Sequence, residues 1–356
     1  MFFPAAAVYG GLTVPVSVHG ILTGATLLPA FASPIGHAHE LLFGFALAVV
    51  AGYLINRTSA ARLGALFVLW LSARASYLLL PGSLIALAAN VSFAATLAWL
   101  VVPQFLKGAK KWRNKAIAPL LLALCSVLAL FHAAALFSAP WLRYLALQES
   151  VLLFALLMLF MGGRIIAPAA AGAIQRAGGH LEARVQPRIE GALMVTMALC
   201  ILLAAVPGGR FIAGILAWIA AVLAMIRLAR WRLWSARRRP DLWCLGLGYA
   251  WLVAGLGLLG TAWSTGLLPA NTAFHAVTVG ALGTLTTGVM ARVRLTRAKH
   301  DPAGSATIVP MAATVTAAAL ARLLLPGDPA ALTMAAGLWS LAYGLLVALL
   351  ARVPAR

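Results

Sequence analysis

The stretch AIAPLLLALCSVLALFHAAALFS, residues 116–138, decides the fold class of this chain. Apart from His132 it contains no acidic, basic or imidazole side chain, and as a helix it is long enough to cross a hydrocarbon core of about 30 Å. Similar stretches recur along all 356 residues, of which 63% are hydrophobic and only 10% charged. Soluble domains carry about 25% charged residues. The sequence therefore predicts an all-α, polytopic membrane protein.

Turn-forming and basic segments separate these apolar stretches from one another. We predict about twelve transmembrane helices that form a single integral membrane domain over residues 1–356. Their predicted bounds are 3–28, 36–56, 61–80, 84–106, 116–138, 146–168, 190–207, 210–229, 242–266, 272–291, 306–325 and 331–352.

Lysine and arginine alternate between the two sides of these predicted helices. After even-numbered spans and at the C-terminus lie 23 of the 27 basic residues, whereas Arg74, Arg143, Arg210 and Arg322 fall on the other side. Because basic residues concentrate in cytoplasmic loops, both termini are predicted to be cytoplasmic, in the bacterial inner membrane. This placement explains the net charge of +20 by topology and lipid headgroups. The lipid bilayer is thus the expected partner, and nucleic acid is not.

The orientation gives each histidine a depth in the membrane. Two of the seven, His180 and His300, fall in cytoplasmic loops, and the other five fall in the periplasmic half: His19, His37, His39, His132 and His275. A lone histidine in a membrane helix often serves a hydrogen bond between helices. Several at similar depth on different helices favour a metal or haem site, because neutral imidazole is a preferred ligand of iron and copper.

Spacing restricts how these histidines are used. His37 and His39 are two residues apart, so on a regular helix they point about 200° apart and serve different centres unless the helix is irregular. His37 and Glu40 are three apart and share a face, so Glu40 is expected to orient the His37 ring. The alternative role for Glu40 is a carboxylate at the positive end of the helix dipole.

Further polar residues lie in or near the same half of the membrane. Arg74 and Arg322 are predicted to receive haem propionates, because guanidinium groups bind carboxylates in a bidentate manner. Glu149 is expected to orient a ligand. The alternative is that the arginines anchor the helices at the membrane surface. Asn90, within the fourth span, is predicted to form a hydrogen bond between helices.

Two segments resemble the NnrS family of polytopic haem- and copper-containing membrane proteins, which are associated with bacterial responses to nitric oxide. They are HAHELLFGFA at 37–46 and HAVTVGALGTLT at 275–286. Three further stretches also resemble the family and follow in the same order with similar spacing: Arg113-Asn114, Phe131-His132 and GRIIAP, residues 163–168. The resemblance extends over most of the chain. Departures at 1–4, 56–60 and 294–298 all lie on the predicted cytoplasmic side.

The resemblance implies that His37, His39, His132 and His275 are ligands of haem b and copper, whereas His19 matches no family position. It also implies that the protein binds or detoxifies nitric oxide from the periplasmic side. One alternative is a nitric oxide reductase-type enzyme that takes electrons from a quinol or a cytochrome. Others are a secondary transporter and a quinol-linked electron-transfer subunit. Binding or protection is favoured, because the adjacent His-His pair typical of haem-copper oxidases is absent from the sequence.

Overall fold

A computed structural model describes residues 1–25, 27–55, 58–108, 115–182 and 185–354. These residues form long helices and contain no β-strand. The helices are α1 (Phe2–Thr23), α2 (Pro34–Leu54), α3 (Ala60–Leu79), α4 (Leu84–Gly108), α5 (Ile117–Leu136), α6 (Pro140–Arg176), α7 (Pro187–Ala204), α8 (Arg210–Arg230), α9 (Pro240–Thr265), α10 (Ala270–Arg297), α11 (Ile308–Leu324) and α12 (Pro329–Arg352). The Arg113-Asn114 segment and the basic residues Arg57, Lys110, Lys111, Arg184 and Arg356 lie outside the described residues.

Within the described ranges, eleven helices are long and apolar enough to cross a membrane, and α11 is a shorter apolar helix. The prediction of a multi-pass helical protein with about twelve spans is thereby confirmed. The orientation of the termini stays a prediction.

Among the predicted spans, the first and the sixth had wrong boundaries for identifiable reasons. The first span was expected to reach residue 28, but α1 ends at Thr23 because Gly24 adopts a left-handed conformation with φ of 69°. The sixth was expected to cover 146–168, but α6 runs for 37 residues from Pro140 to Arg176. Pro140 begins the helix, since proline fits a first helical turn. Pro168 does not end the helix but lies inside it, as prolines often do in membrane helices.

The chain divides into two compact units, Met1–Leu153 and Phe154–Arg356. The first contains α1–α5 and the beginning of α6, and the second contains the rest of α6 and α7–α12. The single membrane domain therefore stays a prediction.

Two helices widen into π-helical turns directly after a histidine. The π segment of α2 covers Glu40–Ala46 and follows His39, whereas that of α10 covers Ala276–Gly283 and follows His275. π-helical turns are rare and are found frequently at functional sites. Each unit thus carries one such widened turn, in the two segments that resemble the NnrS family.

Candidate functional site

The first unit brings two of the predicted ligand histidines together. His39 of α2 is fully buried and His132 of α5 is 2% exposed. Their Nε2 atoms lie 3.0 Å apart, and their rings are nearly perpendicular at 86°. The pairing of these two predicted spans through imidazole nitrogens is the central feature of this unit.

The Glu40 carboxylate orients His39. Its Oε1 lies 2.8 Å from His39 Nδ1 and accepts a hydrogen bond from Arg74 at 2.6 Å, and its Oε2 accepts from the hydroxyl of Tyr9. The prediction that Glu40 orients the His37 ring is therefore wrong, because this carboxylate binds the ring of His39. The helix changes to π geometry at Glu40, so the spacing rule for a regular helix does not apply there. In a neutral His39, the Nδ1 proton is donated to Glu40 and the lone pair lies on Nε2.

Arg74 connects this carboxylate to α4. It is 3% exposed, its Nη2 donates to Asn90 Oδ1, and the Asn90 amide donates in turn to the carbonyls of Ala86 and Ala73 at 2.9 and 3.2 Å. The helix-bridging role of Asn90 is confirmed. Arg74 lies inside the unit, so it is not an anchor at the membrane surface. Both of its terminal nitrogens bind within the protein, and its role toward a haem propionate stays a prediction.

Aromatic rings enclose the histidine pair. The Tyr77 ring stacks on His39 with centroids 3.6 Å apart, and Phe131 and Phe43 lie at 4.8 and 5.2 Å. The Arg143 guanidinium carbon lies over the Phe131 ring, 4.8 Å from its centroid. Sequence reasoning missed Tyr9 and Tyr77. The one signal they offer is a hydroxyl-bearing aromatic in the middle of an apolar helix.

His37 faces α1. Its Nδ1 lies 2.6 Å from Ser17 Oγ, and that hydroxyl donates its single proton to the Val14 carbonyl at 2.9 Å. Ser17 must therefore accept from His37, which leaves the lone pair of a neutral His37 on Nε2. The expectation that His37 and His39 point to different surroundings is confirmed.

His275 belongs to the second unit. Its Nδ1 lies 2.6 Å from the Asn271 carbonyl, so a neutral ring again carries its lone pair on Nε2. Arg322 lies in the last turn of α11 in the same unit, and its role toward a haem propionate stays a prediction. Gly280 and Gly283 follow in the π segment, where an added Cβ would lie 2.6 Å from Trp251 and Trp339, respectively. The absence of side chains at these two glycines thus leaves room for the two indole rings.

Glu149 lies near the start of α6 in the first unit. It is 7% exposed, and its Oε1 accepts from Gln148 at 3.3 Å. Its Oε2 has no hydrogen-bond partner among the described residues. Its predicted role in orienting a ligand stays a prediction.

The pair of His39 and His132 provides two nitrogen atoms of the kind that metals bind. The described ranges contain no group of three or more His, Cys, Asp or Glu side chains arranged to hold a metal. His39 and His132 nevertheless supply two buried imidazole nitrogens, and a carboxylate holds one of the rings, as is usual for metal-binding histidines. The cysteines Cys125, Cys200 and Cys244 are buried, and the first two donate to the carbonyls of Ala94 and Ala213.

The second unit contains another buried charge cluster. Glu190 of α7 is 8% exposed and accepts from Arg164 of α6 at 2.7 Å, and Arg227 of α8 lies 3.8 Å from its other oxygen. Arg227 is 3% exposed and donates to the Leu159 carbonyl at 2.7 Å. Both arginines lie within helices, as the predicted spans 146–168 and 210–229 imply, and their long stems carry the guanidinium groups to Glu190. The sequence analysis counted them with the basic residues of the predicted cytoplasmic side and missed their pairing with Glu190.

No curated protein matches this chain. The model of a family described as NnrS protein matches residues 1–356, which is the whole chain. The match confirms the resemblance seen at 37–46 and 275–286, and it supports a role in the response to nitric oxide. Together with the helices long enough to cross a membrane, it establishes that the chain belongs to the NnrS family, as one of its multi-pass membrane proteins.

Proposed function

We propose that this protein binds haem b and copper in the periplasmic half of the bacterial inner membrane and uses them to bind nitric oxide and limit its toxicity. The observation that carries this proposal is the buried pair of His39 and His132, whose Nε2 atoms face each other at 3.0 Å. Neutral imidazole is a preferred ligand of both metals.

The surroundings of the pair suit a metal that meets a small neutral gas. Tyr77 and Phe131 cover His39, so water is excluded from the rings. Glu40 holds His39 by its Nδ1 and thereby directs Nε2 to the metal position. Nitric oxide dissolves in the lipid and reaches such a site without a hydrophilic channel. When bound, a metal with an open coordination position supplies the affinity for nitric oxide.

Binding is proposed ahead of turnover. Reduction of two nitric oxide molecules to nitrous oxide and water consumes two electrons and two protons, which a quinol or cytochrome donor would have to supply. The polar groups nearest the pair already serve each other: Tyr9 and Arg74 donate to Glu40, and Arg74 also donates to Asn90. Because these groups bind one another, they hold the His39 ring in place. This favours binding of nitric oxide over its reduction.

The test is metal analysis and optical spectroscopy of the purified protein. Wild type is expected to contain haem and copper and to show a spectral change with nitric oxide. His39→Ala and His132→Ala are expected to lose metal and to alter that change, whereas His180→Ala and His300→Ala serve as matched controls in predicted cytoplasmic loops. Formation of nitrous oxide in the presence of a quinol would select the enzyme. A wild type without metal, or with a spectrum that nitric oxide leaves unchanged, rejects the proposal.

A further inference from the structure

We propose that the turn between α8 and α9 binds the headgroup of an anionic phospholipid through four exposed arginines. Arg230 ends α8, and the other three, Arg232, Arg237 and Arg238, lie in the turn before α9 begins at Pro240. This surface belongs to the second unit, and its binding of lipid is independent of any metal.

Buried side chains fix the shape of this turn. Trp231, Leu233 and Ala236 are buried, whereas the residues between them are exposed. Leu233 packs where Gly246 of α9 has no side chain, since an added Cβ there would lie 2.4 Å from the Leu233 Cδ1. Trp231 packs edge-on against Tyr249 of α9, with ring centroids 4.8 Å apart. The exposed residues are thus carried on a backbone that is held against α9.

Arg232 occupies a strained position in this turn. It has φ of 49° and ψ of 45°, directly after Trp231 at the end of α8. Glycine is the usual residue in this left-handed conformation at a helix end, because it has no Cβ that would clash. A larger side chain there has a conformational cost, and such strain is found often at functional positions. The turn therefore presents the exposed Arg232 side chain in spite of that cost.

The positive charge of the four arginines is not balanced by a carboxylate within the described residues. None of the four forms an ion pair there, and the nearby acidic residues are already paired, Asp241 with Arg239 and Arg292, and Asp301 with Arg239. Guanidinium groups bind phosphate oxygens in a bidentate manner. Four of them within residues 230–238 therefore provide a site for an anionic phosphate group.

Exposed apolar side chains next to the turn favour a phospholipid over a soluble phosphate or a nucleic acid. Trp234 is 49% exposed between the arginines, and Trp243 is exposed in the first turn of α9. Indole rings favour the headgroup region of a membrane. On α8, Val222 and Met225 are exposed within about two turns of the arginines, where hydrocarbon chains can pack. Clusters of basic residues beside a membrane helix are typical of sites for acidic lipids.

The test neutralises three of the arginines together in the full-length protein, by Arg232→Gln, Arg237→Gln and Arg238→Gln. The control removes the same charge from exposed residues elsewhere on the predicted cytoplasmic side, by Arg176→Gln, Arg188→Gln and Lys299→Gln. Native mass spectrometry of the detergent-purified proteins measures the binding of phosphatidylglycerol and of phosphatidylcholine. We expect wild type and the control to prefer phosphatidylglycerol by about tenfold or more, and the turn variant to lose that preference.

Tryptophan fluorescence provides a readout of where the lipid binds, in a chain that keeps all its arginines. Phosphatidylglycerol with brominated chains should quench part of the fluorescence of wild type, and Trp234→Phe should remove that part. Trp99→Phe, which changes an exposed tryptophan of the first unit, should leave the quenching by bound lipid as in wild type.

Three results would overturn the proposal on lipid grounds: equal affinity of wild type for the two lipids, equal losses in the turn variant and its control, or quenching that Trp234→Phe leaves unchanged. Displacement of the lipid by inorganic phosphate would assign the arginines to a soluble anion. Tighter binding of an RNA oligonucleotide than of phosphatidylglycerol would assign them to nucleic acid. Either of these results overturns the proposal as well.

Discussion

Each unit of the chain buries a carboxylate beside arginine inside its helices, Glu40 in the first and Glu190 in the second, and these two clusters differ in where their remaining hydrogen-bonding groups point. In the first, Glu40 pairs with Arg74 and its other contacts lead to His39 and Tyr9. In the second, Glu190 pairs with Arg164 and Arg227, and Arg227 continues to a backbone carbonyl. A buried pair of a carboxylate and an arginine thus contacts the imidazole of His39 in one unit and joins three helices in the other.

The difference between the clusters has a consequence for mutations. A cluster that ends on backbone atoms contributes to stability, so its disruption should unfold the protein. The Glu40 cluster also reaches backbone carbonyls through Asn90, but its carboxylate in addition holds the His39 ring, so under the proposed function its disruption should lower metal affinity as well as stability.

The largest effect is expected for Glu190→Ala. This change leaves Arg164 and Arg227 without their shared carboxylate, and an uncompensated buried charge costs about 3–5 kcal/mol. Chemical or thermal unfolding in detergent should show this loss, whereas the folded fraction should keep its metal. Glu182, an exposed residue, provides the control Glu182→Ala. If Glu190→Ala keeps wild-type stability but loses its metal, the metal ligands lie in the second unit and their assignment to the first unit is wrong.

Glu40→Gln should lower metal affinity about 10–100-fold, because carboxylates that hold a ligating histidine typically contribute this much. Glutamine keeps the size of the side chain but removes the charge that accepts the Nδ1 proton of His39. Copper(I) titration measures the effect. Asp241→Asn changes another buried carboxylate, one that pairs with Arg239 and Arg292 in the second unit, and should leave the affinity unchanged. Equal losses in both variants would mean that general destabilisation, and no specific orientation of His39, is responsible.

Gly163→Ala tests the close packing of the second cluster. An added Cβ would overlap Arg227 Nη2, and overpacking of this kind costs about 1–3 kcal/mol. Gly172→Ala is a control in the same helix, since its Cβ would meet only Arg176 at an ordinary 3.6 Å. Unfolding curves of the two variants, compared with wild type, give the difference. If Gly163→Ala is as stable as Gly172→Ala, Arg227 is not held as tightly as the contacts indicate.

Hydropathy and charge alternation were enough to predict the helices, because crossing a membrane imposes length and composition on each of them. The histidines of the site were also predictable, since an imidazole in an apolar helix is conspicuous. The contact between Glu40 and His39 was not, because it depends on a π turn over Glu40–Ala46 for which the sequence carries no recognised signal. The pairing of Arg164 and Arg227 with Glu190 was not predicted either, because charge counting treated both arginines only as basic residues at the cytoplasmic ends of their spans.

Tyr9→Phe should have the smallest effect and is the most specific test of the first cluster. The change removes only the hydroxyl that donates to Glu40 Oε2, at a cost of about 1 kcal/mol, because Arg74 and His39 remain on the other oxygen. Stability should therefore fall slightly, while the carboxylate keeps its hold on His39 and metal affinity falls less than in Glu40→Gln.

The matched control for Tyr9→Phe is Tyr343→Phe in the second unit, which loses a hydroxyl bonded to Thr286 at 2.7 Å. Similar losses of stability in the two variants, with a measurable loss of copper(I) affinity only in Tyr9→Phe, would show that the hydroxyl acts through Glu40 on the metal ligand. If Tyr9→Phe leaves copper(I) affinity at the level of Tyr343→Phe, the network that positions His39 ends at Glu40 and Arg74, and Tyr9 belongs with the packing of α1.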